Sequence, residues 1–208
     1  MAIVGFAVPA ETARILSEID VPGTKEPVTN FHITVLMLDD DTAIGDIADA
    51  MEAAYSVAAK IRPFTARVTR ITSFPGGNDG VPVICPVEAP ELQIVWEAMK
   101  QAFDAKHVGY SKKFPEFKPH VTLSYADKPF EQQLPVPIEW GAHELVVWGG
   151  DRGDRRIVVH LPFSLVDRVA CRYRVAMLRR AAGQPRVGLS VGRQSVQSRL
   201  VARYKAGY

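Results

Sequence analysis

Two short segments of the chain carry the same pair of polar side chains. They read His32-Ile33-Thr34-Val35 and His120-Val121-Thr122-Leu123, and the two histidines are 88 positions apart. With five His in 208 residues, chance alone would yield only about 0.2 His-x-Thr triplets in such a chain. The repetition therefore indicates that the two segments share a role.

The chemistry that suits this pair is proton transfer combined with stabilisation of an anion. An imidazole titrates near pH 6.5, so one of His32 and His120 can accept a proton while the other donates one. The hydroxyls of Thr34 and Thr122 can donate hydrogen bonds to the non-bridging oxygens of a phosphodiester. We therefore expect these four residues to be catalytic. The two triplets are chemically alike, so their sequence does not say which histidine is the base. We expect no metal and no cofactor, because we find no carboxylate cluster that would hold Mg²⁺ at a reaction centre.

Both triplets lie in segments whose composition is typical of β-strands, FHITVLML (residues 31–38) and HVTLSY (residues 120–125). Successive side chains of a strand point to opposite faces, so His and Thr, two positions apart, share one face. The apolar residues between and after them share the other. The pattern predicts a polar pair on an otherwise buried strand.

The elements around the triplets predict an α+β fold. The order is β, α, β, α, β, β, α, β, β, β, with residues 139–148 as one strand, residues 156–163 as the last, and residues 21–30 as a loop. In each half a helix and a loop lead into the strand that bears the triplet. This weak internal repeat suggests two similar lobes that face each other across a cleft.

The composition limits the class of protein. Hydrophobic residues make up 47% and charged residues 23%, a balance that is typical of a globular chain. No run approaches the 18 or so apolar residues of a membrane helix, and the start has no signal-peptide pattern, so we expect a cytoplasmic protein with no membrane association. Cys85 and Cys171 have no CxxC spacing, and we expect both to be reduced.

The charge is unevenly distributed. Residues 165–208 contain ten Lys and Arg but a single acid, a net charge of +9, whereas residues 1–164 carry −7. We therefore divide the chain into a domain (1–164) and a basic, Arg-rich C-terminal extension (165–208). The extension could bind nucleic acid, contact protein in a larger assembly, or serve only as a solubilising tail.

The paired His-x-Thr motifs resemble the 2H phosphoesterase superfamily, which includes the bacterial RNA 2′,3′-cyclic phosphodiesterases called 2′-5′ RNA ligases. The closest local matches are FKPHVTLSY around the second triplet and IVGFAVPAE in the first strand. The resemblance covers residues 1 to about 164. It implies a bilobal fold with two pseudo-symmetric lobes, antiparallel sheets lining a central cleft and helices outside, and it leaves the basic extension unexplained.

The resemblance also implies a function. We expect a metal-independent phosphodiesterase that acts on a 2′,3′-cyclic or 2′/3′-linked phosphodiester of RNA or an oligonucleotide. One alternative is an enzyme of the phage type that degrades cyclic oligonucleotide immune signals. Another is a non-catalytic structural or nucleic-acid-binding protein that uses the basic extension.

Four residues are candidates for contact with the substrate. Phe6, Tyr110 and Trp148 could stack on a nucleobase, and Lys118, just before the second triplet, could bind a phosphate. Family analogy places Phe6 and Trp148 near the cleft. For each aromatic residue core packing is the alternative, and for Lys118 it is ordinary solvation of a loop.

Overall fold

A computed structural model describes residues 2–39, 44–149 and 156–163 of the chain. Within these ranges it contains three α-helices, nine β-strands and one 3-10 turn. The helices are Ala10–Glu18 (α1), Ile44–Ala58 (α2) and Pro90–Ala105 (α3), and the 3-10 turn is Val28–Asn30. The strands are Ile3–Ala7 (β1), Thr24–Lys25 (β2), His32–Met37 (β3), Phe64–Ser73 (β4), Val81–Pro86 (β5), His120–Ala126 (β6), Gln132–Ala142 (β7), Glu144–Gly149 (β8) and Arg156–Pro162 (β9). The basic extension predicted at 165–208 lies outside the described residues.

The strands form two antiparallel sheets. The first sheet has the order β3-β1-β8-β9, and the second has the order β2-β6-β5-β4-β7. Each sheet contains one of the His-x-Thr strands, β3 in the first and β6 in the second. The predicted bilobal α+β fold is confirmed.

The same three-element unit occurs in both lobes. β1 leads through α1 to β3, which pairs antiparallel with β1, and β5 leads through α3 to β6, which pairs antiparallel with β5. Both helices begin beside a proline, Pro9 and Pro90, whose fixed φ suits the first turn. Both also carry an acid in that turn, Glu11 and Glu91, where the helix dipole favours negative charge. The repeated sequence pattern thus corresponds to a repeated structure.

One large apolar core joins both sheets to all three helices, and a small second cluster lies on the other face of the first sheet. The second cluster consists of Ile3, Val146 and Trp148, with Ala7 and Met37 packed against it. In the main core, Cys85 is a buried free thiol whose pKa burial raises to about 12, so it stays protonated. In the described ranges, no helix combines the length and the apolar character that crossing a membrane takes.

The strand predicted at 139–148 is wrong in its extent. The structure has two strands there, β7 and β8, separated by His143, and β7 begins already at Gln132. The sequence conceals this start because β7 contains Pro135 and Pro137, which argue against a strand. β7 is an edge strand, and both prolines fall between the two stretches of β7 that pair with β4. Neither proline therefore removes a hydrogen bond from the sheet.

Candidate active site

The two histidines are held by the same local hydrogen bond. His32 Nδ1 lies 2.5 Å from the carbonyl oxygen of Asn30, and His120 Nδ1 lies 2.6 Å from the carbonyl oxygen of Lys118. In each case the acceptor is two residues earlier in the chain. A carbonyl can only accept, so Nδ1 carries the proton and, in the neutral ring, the lone pair is on Nε2. Both imidazoles are therefore fixed in the tautomer that presents Nε2 for proton transfer.

The burial of the two strands follows the predicted alternation. His32 and Thr34 are half-buried while Ile33 is fully buried, and His120, Val121 and Thr122 repeat the pattern. His and Thr of each triplet thus share the more open face of their strand. No described residue hydrogen-bonds to either threonine hydroxyl, so both can donate to a ligand.

A β-bulge follows each triplet at the same position. In the first lobe Gly5 pairs with Thr34 but Val4 pairs with Leu36, so Val35 has no partner across the pair. A bulge inserts one residue and shifts the alternation of the strand beyond it. As a result Met37 is half-buried and falls on the face of His32 and Thr34.

The second lobe repeats the bulge. Ile84 pairs with Thr122 but Val83 pairs with Ser124, so Leu123 is the inserted residue. Tyr125 is accordingly half-buried, on the face of the second triplet. Met37 and Tyr125 are candidate site residues that a regular alternation assigns to the other face.

Strand β2 joins the two lobes next to the triplets. Residues 21–30, predicted as a loop, contain β2, which pairs with β6 through Thr24 and Tyr125, and then the 3-10 turn that leads directly into β3. The Glu26 N–H donates to the carbonyl oxygen of Leu123 at 2.8 Å. Cα atoms of β3 and β6 approach within 8 Å of each other. The two His-x-Thr strands are therefore neighbours, although they belong to different sheets.

An aromatic ring contacts each histidine. The ring centroids of Trp148 and His32 are 5.4 Å apart, and those of Phe74 and His120 are 4.7 Å apart with the planes at 84°. Trp148 is a candidate from the sequence, and the structure places it beside the first triplet. Sequence reasoning misses Phe74, because it follows β4 at a distance of 46 residues from His120 and no motif marks it.

The environment of His120 favours its neutral form. Burial lowers the pKa of His120 below its ordinary value of 6.5, and the hydrogen bond to the Lys118 carbonyl opposes this effect only in part. Desolvation acts in this direction because it penalises the charged imidazolium. His120 is thus unprotonated at neutral pH, as a general base must be.

Phe6 does not line the open face of the first sheet. It is 1% exposed and packs edge-on against Phe64 and Phe163, with centroid distances of 5.5 and 6.1 Å. The reason is its register, since Phe6 pairs with Ile33 and not with a residue of the polar face. The expectation that Phe6 stacks on a base is therefore corrected: Phe6 is a core residue.

Tyr110 and Lys118 are already engaged with other groups. Tyr110 is 8% exposed, lies edge-on to Phe103, and has Lys112 Nζ 3.8 Å from its ring centroid. The Lys118 ammonium pairs with Glu116 at 3.1 Å, while the backbone of Lys118 supplies the carbonyl that holds His120. The structure therefore joins Lys118 to the site through its main chain, and it places Tyr110 just beyond the end of β3, in a bridge with Leu38.

No group of three or more His, Cys, Asp or Glu among the described residues is arranged to hold a metal ion. The neighbours of the two triplets are instead backbone carbonyls, aromatic rings and threonine hydroxyls. This arrangement can transfer protons at the two histidines and donate hydrogen bonds from the two threonine hydroxyls.

Two pseudo-symmetric lobes, each with a His-x-Thr strand at their junction, are the architecture of the 2H phosphoesterases. The family profile described as the 2′-5′ RNA ligase superfamily matches residues 28–154, more than half of the chain. The chain belongs to this superfamily, and the resemblance inferred from the motifs is confirmed.

Solved structures are similar in fold. The protein TT0787 of Thermus thermophilus superposes with a TM-score of 0.62 at 17% identity, over 78% of this chain and 97% of that one. A structure described as a phosphoesterase gives a TM-score of 0.53 at 17% identity, over 75% and 92%. E. coli LigT complexed with 3′-AMP gives 0.52 at 19% identity, over 77% and 94%. At these identities the likeness concerns the fold alone. No curated protein sequence matches the chain.

Proposed function

We propose that this protein is a metal-independent phosphodiesterase that opens or cleaves a 2′,3′-cyclic or 2′/3′-linked phosphodiester of RNA or an oligonucleotide. The observation that carries the proposal is the matched pair of triplets: two histidines held in the same tautomer by the same backbone bond, on neighbouring strands of different sheets. Superfamily membership supports action on a phosphodiester.

In the proposed reaction His120 is the base and His32 is the acid. Water attacks phosphorus, and Nε2 of neutral His120 accepts the proton that the water loses. The bond from phosphorus to the leaving ribose oxygen breaks, and that oxygen takes a proton from Nε2 of charged His32. The two histidines end in exchanged protonation states, which solvent restores. The lowered pKa of His120 favours its neutral form, which is the form that a base requires.

The threonine hydroxyls stabilise the charge that develops during this step. We propose that Thr34 and Thr122 donate hydrogen bonds to the two non-bridging oxygens, whose negative charge grows in the transition state. Such donors are preorganised, so they stabilise the transition state without reorganising during the reaction. This is the part that a divalent metal plays in many other phosphodiesterases.

A nucleotide substrate is supported by two observations. The aromatic rings of Trp148 and Phe74 lie beside the histidines, and aromatic rings provide stacking surfaces for bases. E. coli LigT, which shares the fold, was crystallised with 3′-AMP. We propose Trp148, which lies next to His32, as the residue that contacts the base; because it is 8% exposed, only a small part of its surface is open to a ligand.

The test is turnover of a substrate panel in the presence of EDTA. We expect hydrolysis of RNA with a 2′,3′-cyclic end, a bell-shaped pH profile of kcat/KM, and loss of activity in His32→Gln and His120→Gln. His143→Gln, at an exposed histidine between β7 and β8, is the control and should be fully active. Activity that disappears with chelator contradicts the proposal.

The same panel separates the other functions. Preferential cleavage of cyclic di- and trinucleotides would assign the enzyme to the class that degrades cyclic oligonucleotide signals. A protein that binds RNA without turning over any substrate, and loses binding when residues 165–208 are deleted, would be a nucleic-acid-binding protein. The deletion keeps Phe163, which packs against Phe6 and Phe64 in the core.

A further inference from the structure

The chain around Phe74 is held from several directions. The Phe74 N–H donates to the carbonyl oxygen of Pro82 at 3.0 Å, across the hairpin from β4 to β5. The preceding residue, Ser73, accepts the N–H of Phe130 on its hydroxyl at 2.9 Å and donates that hydroxyl to the Phe130 carbonyl at 3.2 Å. The position of the Phe74 ring is therefore set by the backbone of two other segments.

This ring and one carbonyl restrain the His120 imidazole at two points. The Lys118 carbonyl binds Nδ1, and the Phe74 ring contacts the imidazole with its plane nearly perpendicular. The hydrogen bond restrains the imidazole at Nδ1 alone, and the ring contact adds a second restraint on rotation about the Cα–Cβ and Cβ–Cγ bonds. An apolar ring at this distance also keeps water from part of the imidazole, and desolvation disfavours the charged form.

The first lobe has the same combination. His32 is bound by the Asn30 carbonyl and contacted by Trp148. Trp148 lies on β8, and Phe74 directly follows β4. These two strands have equivalent positions in their sheets, because one strand separates β8 from β3 and one strand separates β4 from β6. An accidental contact would not be expected at the equivalent place in both lobes.

We propose that Phe74 is a positioning residue for His120. Its ring holds the imidazole in the orientation in which Nε2 can accept the proton of the attacking water, and it shields part of the imidazole from solvent. Phe74 acts through His120 and need not touch the substrate. The consequence for catalysis rests on the proposed function, but the effect on the imidazole does not.

The test is a titration of the His120 imidazole by NMR in the absence of any substrate, with the resonance assigned through His120→Gln. In Phe74→Ala we expect the pKa of His120 to rise toward 6.5, and in Phe74→Leu, which keeps apolar bulk, to rise by less. Phe114→Ala is the matched control, since Phe114 is 68% exposed and should leave the titration unchanged. If Phe74→Ala does not fold, Phe74→Leu provides the measurement.

Kinetics give the second readout. In Phe74→Ala the acidic limb of the kcat/KM profile should move to higher pH together with the NMR titration, and kcat should fall on the order of tenfold from misplacement of the base. An unchanged His120 titration in a folded Phe74 variant overturns the inference, even if the enzyme is active. A shifted titration in a protein that hydrolyses no member of the panel supports the role of Phe74 and refutes the proposed function.

Discussion

The Glu26 N–H donates to the carbonyl oxygen of Leu123, the bulged residue next to Thr122, over 2.8 Å. Six residues after Glu26 the chain reaches His32. The bond therefore ties the segment that enters the first His-x-Thr strand to the second such strand. This bond and the pairing of β2 with β6 connect the two triplets through a short length of chain, whereas β3 and β6 belong to different sheets and do not pair with each other.

We expect Glu26→Pro, which has no N–H to donate, to lower both stability and activity. The lost hydrogen bond should reduce the free energy of unfolding by about 0.5 to 1.5 kcal/mol, and displacement of His32 relative to Thr122 should reduce kcat/KM on the order of tenfold or more. Glu26→Ala is the matched control. It removes only the carboxylate that accepts from Asn30 Nδ2 at 3.0 Å and keeps the N–H. Urea unfolding and initial rates measure the two effects, and equal activity of the two variants would contradict this role for the bond.

Gly5 gives a second test, because the backbone of β3 passes very close to it. A Cβ at position 5 would lie 2.1 Å from the carbonyl oxygen of Ile33, far inside contact distance, and Gly5 pairs with Thr34 beside the bulge. We expect Gly5→Ala to lower the free energy of unfolding by about 1 to 3 kcal/mol and to reduce kcat by displacing Thr34. In the control, Gly77→Ala, the new Cβ meets nothing within 4 Å, and stability should stay within about 0.5 kcal/mol of the parent. Denaturant unfolding measures the free energy of unfolding of both variants. Similar losses of stability in Gly5→Ala and Gly77→Ala would show that the contact between position 5 and the Ile33 carbonyl does not cause the destabilisation.

The alternation of a strand is enough to place His and Thr of each triplet on one face. Beyond the triplets the regular alternation is interrupted by the bulges at Val35 and Leu123. The sequence shows no glycine or other signal at these two positions. A regular alternation therefore does not place Met37 and Tyr125 on the face of the triplets. Bulges depend on how two strands pair, which is a property of the assembled sheet.

Phe6 and Phe74 illustrate the limits of sequence and of family analogy. Both faces of β1 are apolar, since Val4 contacts the main core and Ile3 the smaller cluster, so hydrophobicity could not say which face Phe6 occupies. Phe74 meets His120 only because β5 lies between β4 and β6 in the sheet. Strand order of this kind is set by packing of the whole domain and leaves no local pattern.

The pKa of His120 makes stability depend on pH with a definite sign. Burial lowers that pKa in the folded protein, so between 6.5 and the folded value the unfolded chain binds a proton that the folded protein does not. The contribution to stability is complete above about pH 6.5 and is lost as the pH falls through 6.5 toward the folded pKa. We expect the free energy of unfolding of His120→Gln to fall less between about pH 7 and pH 5.5 than that of the parent. Parallel curves for the parent and His120→Gln would contradict the assignment.

The two threonines provide the most direct test of how the proposed enzyme stabilises charge. Thr34→Val and Thr122→Val replace the hydroxyl with a methyl of similar size on strands that favour β-branched residues, so the fold should persist. A donor that strengthens its hydrogen bond only in the transition state affects kcat and leaves KM nearly unchanged. We expect each valine variant to lose on the order of 10² in kcat, while Thr34→Ser and Thr122→Ser, which keep the hydroxyl, recover most of the activity. Steady-state kinetics over a range of substrate concentrations up to saturation measure kcat and KM separately. A rise in KM at constant kcat would instead make the threonines ground-state binding groups, and the charge on phosphorus would then need other donors.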